Sequence, residues 1–210
     1  MPLYREFKFG NATVAVWKIT ETSEELLSML PDEYAACSVG LCNGQRRAEW
    51  LAVRILLAGL CGTCARIVYD GNGKPLLEGA TGYISISHTK GYALLAYSVE
   101  DPIGIDVELL ARDVSFAACR FVNDEYLASL PGKECNVYVL AYWCLCEALF
   151  KLVGNVGGTY KENVYVKPYA MEAQGTIEVS LKGASVASDT DYCASYVNDG
   201  ELLIVLIPGR

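Results

Sequence analysis

Residues 83–108 read YISISHTKGYALLAYSVEDPIGIDVE, and the pattern in this stretch decides the fold class. Residues 83–87 alternate apolar and polar side chains, Lys90-Gly91 supplies a turn, and 92–99 return as a second apolar strand. That order predicts a hairpin with His88 at its mouth. After Asp101-Pro102, residues 103–108 alternate again and predict a further strand. Strands that follow one another through turns, with no helix between them, predict antiparallel pairing.

Working toward the N-terminus, residues 13–19 predict a strand, rich in β-branched and aromatic side chains. Thr22 or Ser23 caps a helix whose Leu26, Leu27 and Leu30 recur at helical spacing before Pro31 stops it. A second helix is expected over 43–60, with Trp50, Val53, Leu57 and Leu60 on one stripe and Arg46, Arg47 and Glu49 left in water near its start. Residues 70–75, DGNGKP, are dense in turn formers and predict a loop carrying Lys74. Toward the C-terminus, short helices are expected over 116–120 and 123–130. A longer one over 136–153 is ended by Gly154, Gly157 and Gly158. Strands are expected over 163–168, 176–181, 192–197 and 202–207. Each half therefore reads as helices beside a small, mainly antiparallel sheet, an α+β fold. Element order alone suggests two similar lobes, 1–100 and 101–210, without a Ser- or Pro-rich linker and without a fixed-period repeat.

The chain has 210 residues, 52% apolar and 20% charged, the balance of a folded domain and far from that of a disordered segment. A net charge of −8 argues against a broad nucleic-acid footprint, so any anionic ligand must be met by a local basic cluster. Apolar stretches such as 51–60 are interrupted by Arg54 and Gly59 and fall short of the roughly 20 residues that span a bilayer. Arg5, Glu6 and Lys8 break up the first ten residues, so no secretory signal and no membrane partner are expected, and the location reads as cytoplasmic. The nine cysteines are odd in number and form no disulfide framework, which favours reduced, mostly buried thiols. The pairs Cys61/Cys64 and Cys144/Cys146, with His88 as the single histidine, do not supply a zinc ligand set. Cys61 stands where a helix ends and lacks the strand-to-helix setting of a redox pair.

Several residues carry chemistry. Asp106 and Glu108 lie two apart on a strand and project from one face. Two adjacent carboxylates repel unless a cation sits between them, and magnesium, which prefers hard oxygen ligands and substrate phosphates, is a natural one. A solvated pair of acids is the plain alternative. Glu147 and Lys151 lie four apart on the predicted helix and share a face. As a surface ion pair they would contribute about 0.3–0.5 kcal/mol, but their neighbours Trp143, Cys144, Leu145, Cys146, Ala148, Leu149 and Phe150 are apolar or aromatic. A charge pointing inward there needs a partner or a metal. His88 with Ser87, Lys74 in its glycine-rich loop, and Arg46 and Arg47 near a helix start could each meet phosphate, or could be structural or solvated.

In order and spacing these pieces resemble the Sfp-type 4′-phosphopantetheinyl transferases. Gly73-Lys74-Pro75, Ile84-Ser85-Ile86-Ser87-His88 and Ile103-Gly104-Ile105-Asp106-Val107-Glu108 are close to that family's GKP, SISH and VGIDIE segments. Trp143, Glu147, Ala148 and Lys151 match its W-x-x-K-E-A-x-x-K helix, and Arg46-Arg47-Ala48-Glu49-Trp50-Leu51-Ala52 followed by Arg54 resembles its early helix. The likeness extends from about Arg46 to Lys151. It implies a pseudo-twofold pair of lobes with coenzyme A in the cleft between them, and Asp106, Glu108 and Glu147 as magnesium ligands, with Asp106 also on the coenzyme A side. It implies Lys151 and His88 on the phosphates with Ser87 nearby, and Lys74 with Arg46 or Arg47 at the adenosine end. The implied reaction moves the 4′-phosphopantetheine arm of coenzyme A to a serine of an apo-acyl or peptidyl carrier protein, with Glu147 as general base and Lys151 offsetting charge. The chain departs from the pattern at Cys146, where the family usually has lysine. That leaves two other readings: a catalytically weakened protein that binds coenzyme A or a carrier, and a magnesium-dependent phosphate-ester hydrolase. The hydrophobic run 116–121, with Arg112 and Arg120 nearby, is a candidate carrier contact or core packing.

Overall fold

The computed structural model describes residues 3–38, 40–41, 44–132, 135–155, 158–183 and 189–209. They divide into two compact units, Met1–Pro102 and Ile103–Arg210. Both are α+β, with antiparallel sheets packed by helices.

In the first unit, β1 (Leu3–Phe9), β2 (Ala12–Lys18), β5 (Tyr83–Thr89) and β6 (Tyr92–Ser98) form a sheet in the order β1-β2-β6-β5, every pair antiparallel. The expected hairpin is β5-β6: Thr89 faces Tyr92 across Lys90-Gly91, and Gly91 takes φ +79°, a conformation that glycine adopts without strain. Between β2 and β5 run α1 (Ser23–Leu27), α2 (Glu33–Ser38), α3 (Gly44–Cys61) and a small antiparallel pair, β3 (Arg66–Tyr69) with β4 (Pro75–Glu78). Thr22 caps α1 in a capping box: Glu25 N donates to Thr22 Oγ1 at 3.2 Å and Thr22 N donates to Glu25 Oε2 at 2.8 Å, satisfying two end donors at once. The core joins Leu51, Ala52 and Leu57 of α3 to Ala15 and Trp17 of β2, Ile84 of β5 and Leu95 of β6.

Four elements here escaped the periodicity reading, namely β1, α2 and the paired β3 and β4. Each is a short or edge element, where one-sided burial leaves a weak pattern. The helix expected over 43–60 is α3, and Asn43 lies outside the described residues.

The second unit has a five-stranded antiparallel sheet ordered β7-β11-β10-β9-β8. Its strands are β7 (Ile103–Leu109), β8 (Val164–Val166), β9 (Gln174–Leu181), β10 (Thr190–Asn198) and β11 (Leu202–Pro208). A 3-10 turn at Ser115–Ala117, α4 (Ala118–Phe121), α5 (Asp124–Ser129) and α7 (Tyr160–Asn163) surround the long α6 (Cys135–Val153). The strand expected over 163–168 is shorter than its sequence pattern, and Gly157 lies outside the described residues.

By length and composition α6 could cross a bilayer, but most of it is buried inside the protein. It is a longer apolar segment than the 51–60 stretch, and it packs on β7 and β11 as the core helix of this unit. Val139, Leu145 and Leu149 of α6 meet Leu203, Val205 and Ile207 of β11 and Ile177 and Val179 of β9 in one cluster.

The described cysteines are free, and they are less buried than expected: Cys144 and Cys146 are buried, while Cys37, Cys64, Cys119 and Cys193 are exposed.

Candidate functional site

The second unit builds its polar site at the edge of its sheet. On β11, Leu203, Val205 and Ile207 belong to the α6-facing core, and their partners across the ladder on β7 are Glu108, Asp106 and Gly104. The same sheet face that is apolar on β11 is thus glycine and carboxylates on its edge strand. Gly104 lets the helix come close, since a Cβ there would lie 2.0 Å from Ala148 O. On α6, Cys144, Glu147, Ala148 and Lys151 recur at i, i+3, i+4 and i+7 and so share one helix face.

Both strand acids are buried, Asp106 at 6% and Glu108 at 7% exposure, which removes the solvated-acid alternative. Lys151 Nζ donates to Asp106 Oδ1 and to Ile105 O, both at 2.8 Å, so the lysine spans from helix to strand. Glu108 pairs with Arg112, whose guanidinium also lies over the Trp143 ring. Burial holds the Glu147 carboxyl above its ordinary range, the charge of Asp106 pushes the same way, and Lys151 and Arg112 oppose them. The Cys144 thiol, fully buried and hydrogen-bonded to Asp106, is pushed well up by burial and then by the charges of Asp106 and Glu108. Burial, then Glu147, Cys146 and Asp106, raise the Tyr160 hydroxyl.

Asp106, Glu108 and Glu147 offer hard oxygen donors with surplus negative charge, the chemistry that magnesium takes. Among the described residues no three His, Cys, Asp or Glu side chains are gathered as a metal group, and Lys151 and Arg112 engage the strand acids. The donor chemistry fits the ion, and the two basic side chains are the present counter-charges.

Cys146 faces the core of this unit at 0% exposure. The position where the resembled family usually has lysine is thus held by a buried, apolar-packed thiol in this chain. Of the aromatics in 116–121, Phe116 is 81% exposed, whereas Phe121 packs edge-on against Trp143 with centroids 5.2 Å apart.

The first unit carries the other candidates. Arg47 Nη1 pairs with Glu24 Oε1 at 3.0 Å, and its Nε donates to Ser38 Oγ at 3.4 Å, while Arg46 is exposed. Lys74 sits in the β3-β4 turn, where Asp70 Oδ1 accepts the backbone N–H of Asn72 and of Lys74, each at 2.8 Å. Ser87 is buried on β5 and His88 is exposed at its end. Glu49, expected in water, is instead buried at 6%. Its Oε2 lies 3.4 Å from His88 Nδ1, and its Oε1 accepts from Gln45 Nε2 at 2.8 Å.

Sequence reasoning missed Glu49, Gln45, Cys144, Tyr160 and the pairing role of Arg112. The i, i+4 spacing of Gln45 and Glu49 was a usable signal, but nothing local announced the pairing of Glu49 with a strand residue 39 positions further along the chain.

No family model matches the chain. Among curated proteins, the 4′-phosphopantetheinyl transferase AcpT of Salmonella typhimurium is 29% identical over 149 residues, which cover 69% of this chain and 77% of that protein. AcpT of Salmonella typhi is 28% identical over the same coverage. The 4′-phosphopantetheinyl transferase psf-1 of Bacillus pumilus is 30% identical over 115 residues, 52% of this chain and 48% of that protein. By these likenesses the chain is similar to 4′-phosphopantetheinyl transferases over half to two thirds of its length.

Proposed function

We propose that the chain moves the 4′-phosphopantetheine arm of coenzyme A to a serine of an apo-acyl or peptidyl carrier protein and releases adenosine 3′,5′-bisphosphate, a magnesium-dependent holo-[acyl-carrier-protein] synthase. The observation that carries this reading is the buried acidic stripe of β7 set against the Glu147 and Lys151 face of α6. The names of the relatives support the reaction class.

In this reading Asp106, Glu108 and Glu147 hold magnesium, which when bound neutralises charge on the pyrophosphate of coenzyme A. Glu147 accepts the proton of the carrier serine. The serine oxygen bonds to the β-phosphorus as the bond to the bridging pyrophosphate oxygen breaks. Lys151 offsets charge on the phosphates as the leaving group departs. Ser87 and His88 contact phosphate, and Lys74 with Arg46 or Arg47 reaches the adenosine end. The exposed Phe116, with Arg120 four residues further along the chain, is the carrier contact. A pseudo-twofold pair of lobes, 1–100 and 101–210, and a cytoplasmic location belong to the same reading. It is supported by a long helix on an antiparallel sheet in each unit.

The test is intact-protein mass spectrometry of an apo-acyl carrier protein incubated with the chain, coenzyme A and magnesium. One added phosphopantetheine arm, lost on chelation and with Glu147→Ala, is expected. No added arm across acyl and peptidyl carriers would sink the reading.

A further inference from the structure

The first unit contains a buried carboxylate that the proposed reaction does not use. The side chain of Glu49 is 8% exposed, whereas the ring of His88 is 52% exposed. Gln45 Nε2 donates to one carboxylate oxygen, Oε1, at 2.8 Å, and His88 Nδ1 lies within ion-pair distance of the other, 3.4 Å from Oε2. Among the described residues, His88 is the one ionisable side chain paired with Glu49. A carboxylate withdrawn from water is costly without such a partner. Gln45 sits one turn earlier on α3 and fixes the carboxylate from its other side.

We infer that Glu49 is a positioning residue for His88: it accepts the Nδ1–H, holds the ring and its tautomer, and leaves Nε2 as the nitrogen turned to ligand. In neutral imidazole the hydrogen bond at one nitrogen decides which of the two carries the proton. In imidazolium both nitrogens donate, so a ring held at Nδ1 presents Nε2–H to an anion. The arrangement parallels the carboxylates that orient metal-binding histidines from behind. Its functional use rests on the reading of His88 as a phosphate contact.

His88 is the single histidine of the chain, so its ring nitrogens can be observed without assignment. In nitrogen NMR of the labelled protein at alkaline pH, the Nδ1–H tautomer should dominate, and Glu49→Ala should restore the Nε2–H form. An Nε2–H ring in the wild type overturns the inference whatever the activity. In the transfer assay, Glu49→Gln should raise KM for coenzyme A about tenfold, as loss of an outer partner does at other sites, with kcat within about twofold and an unchanged melting temperature. In the His88→Ala background the same substitution should add nothing, and an equal KM penalty there overturns the positioning role. If His88→Ala leaves KM unchanged while the wild type transfers the arm, the phosphate contact fails and the functional use of Glu49 fails with it. If no arm is transferred at all, the reaction fails while the tautomer result still decides the pairing.

Discussion

A Cβ added to Gly104 would lie 2.0 Å from the carbonyl oxygen of Ala148 and 2.9 Å from its carbonyl carbon. Real side chains do not approach backbone that closely, so β7 and α6 sit at a separation that only glycine permits. Two residues further along the same strand face is Asp106, within 2.8 Å of Lys151 Nζ.

Gly104→Ala therefore forces strand and helix apart. It should destabilise the protein by roughly 3 kcal/mol, the upper range for overpacking a close contact. It should also weaken the Asp106–Lys151 pair. Urea denaturation, followed by transfer assays on the folded fraction, checks both.

Lys151→Met leaves Asp106 and Glu147 without their shared counter-charge. Because Asp106 is buried, the loss should be roughly 3 kcal/mol, the low end for breaking a buried pair. Adding Asp106→Asn removes the stranded charge, so the double variant should be more stable than Lys151→Met alone. Equal stability of the single and double variants would mean that the pair is not coupled.

Tyr142 is buried at 1% exposure. Its hydroxyl donates to Val164 O at 2.8 Å, at the start of β8, and accepts from Asn123 N at 3.4 Å. Tyr142→Phe strands the buried Val164 carbonyl and frees the half-buried Asn123 N–H, and should cost about 1–2 kcal/mol. Faster amide exchange near Asn123 and Val164 would locate the damage.

Burial pushes the Cys61 thiol up to about 11. Since the thiolate is the reactive form, alkylation of Cys61 should be slow at pH 8 and rise continuously toward pH 11. Peptide mapping after a timed pulse of iodoacetamide reads this. A rate that levels off near pH 9 would contradict the burial effect.

The β5-β6 hairpin, α1 with its cap, α3, α6 and the last three strands were legible because each has a local cause: alternation, helical spacing, or a turn and cap residue. The short β3-β4 pair and edge strand β1 were not, since what makes them strands is the partner that they meet. Asp106 and Glu108 could be placed on one strand face from spacing alone, and Glu147 and Lys151 on one helix face. Neither spacing said that Lys151 reaches Asp106, nor that Arg112 takes Glu108.

Sequence by itself determined the α+β class, the four motif segments and the identity of the acidic and basic side chains, because those follow from residue type and short periodicities. Only the tertiary structure decided which of them are buried and what they touch. Glu49 moved from expected solvent to a buried position beside His88, and Cys146 proved to lie in the core. Burial and pairing depend on the elements packed across from a residue, distant in the chain, and no local pattern encodes them.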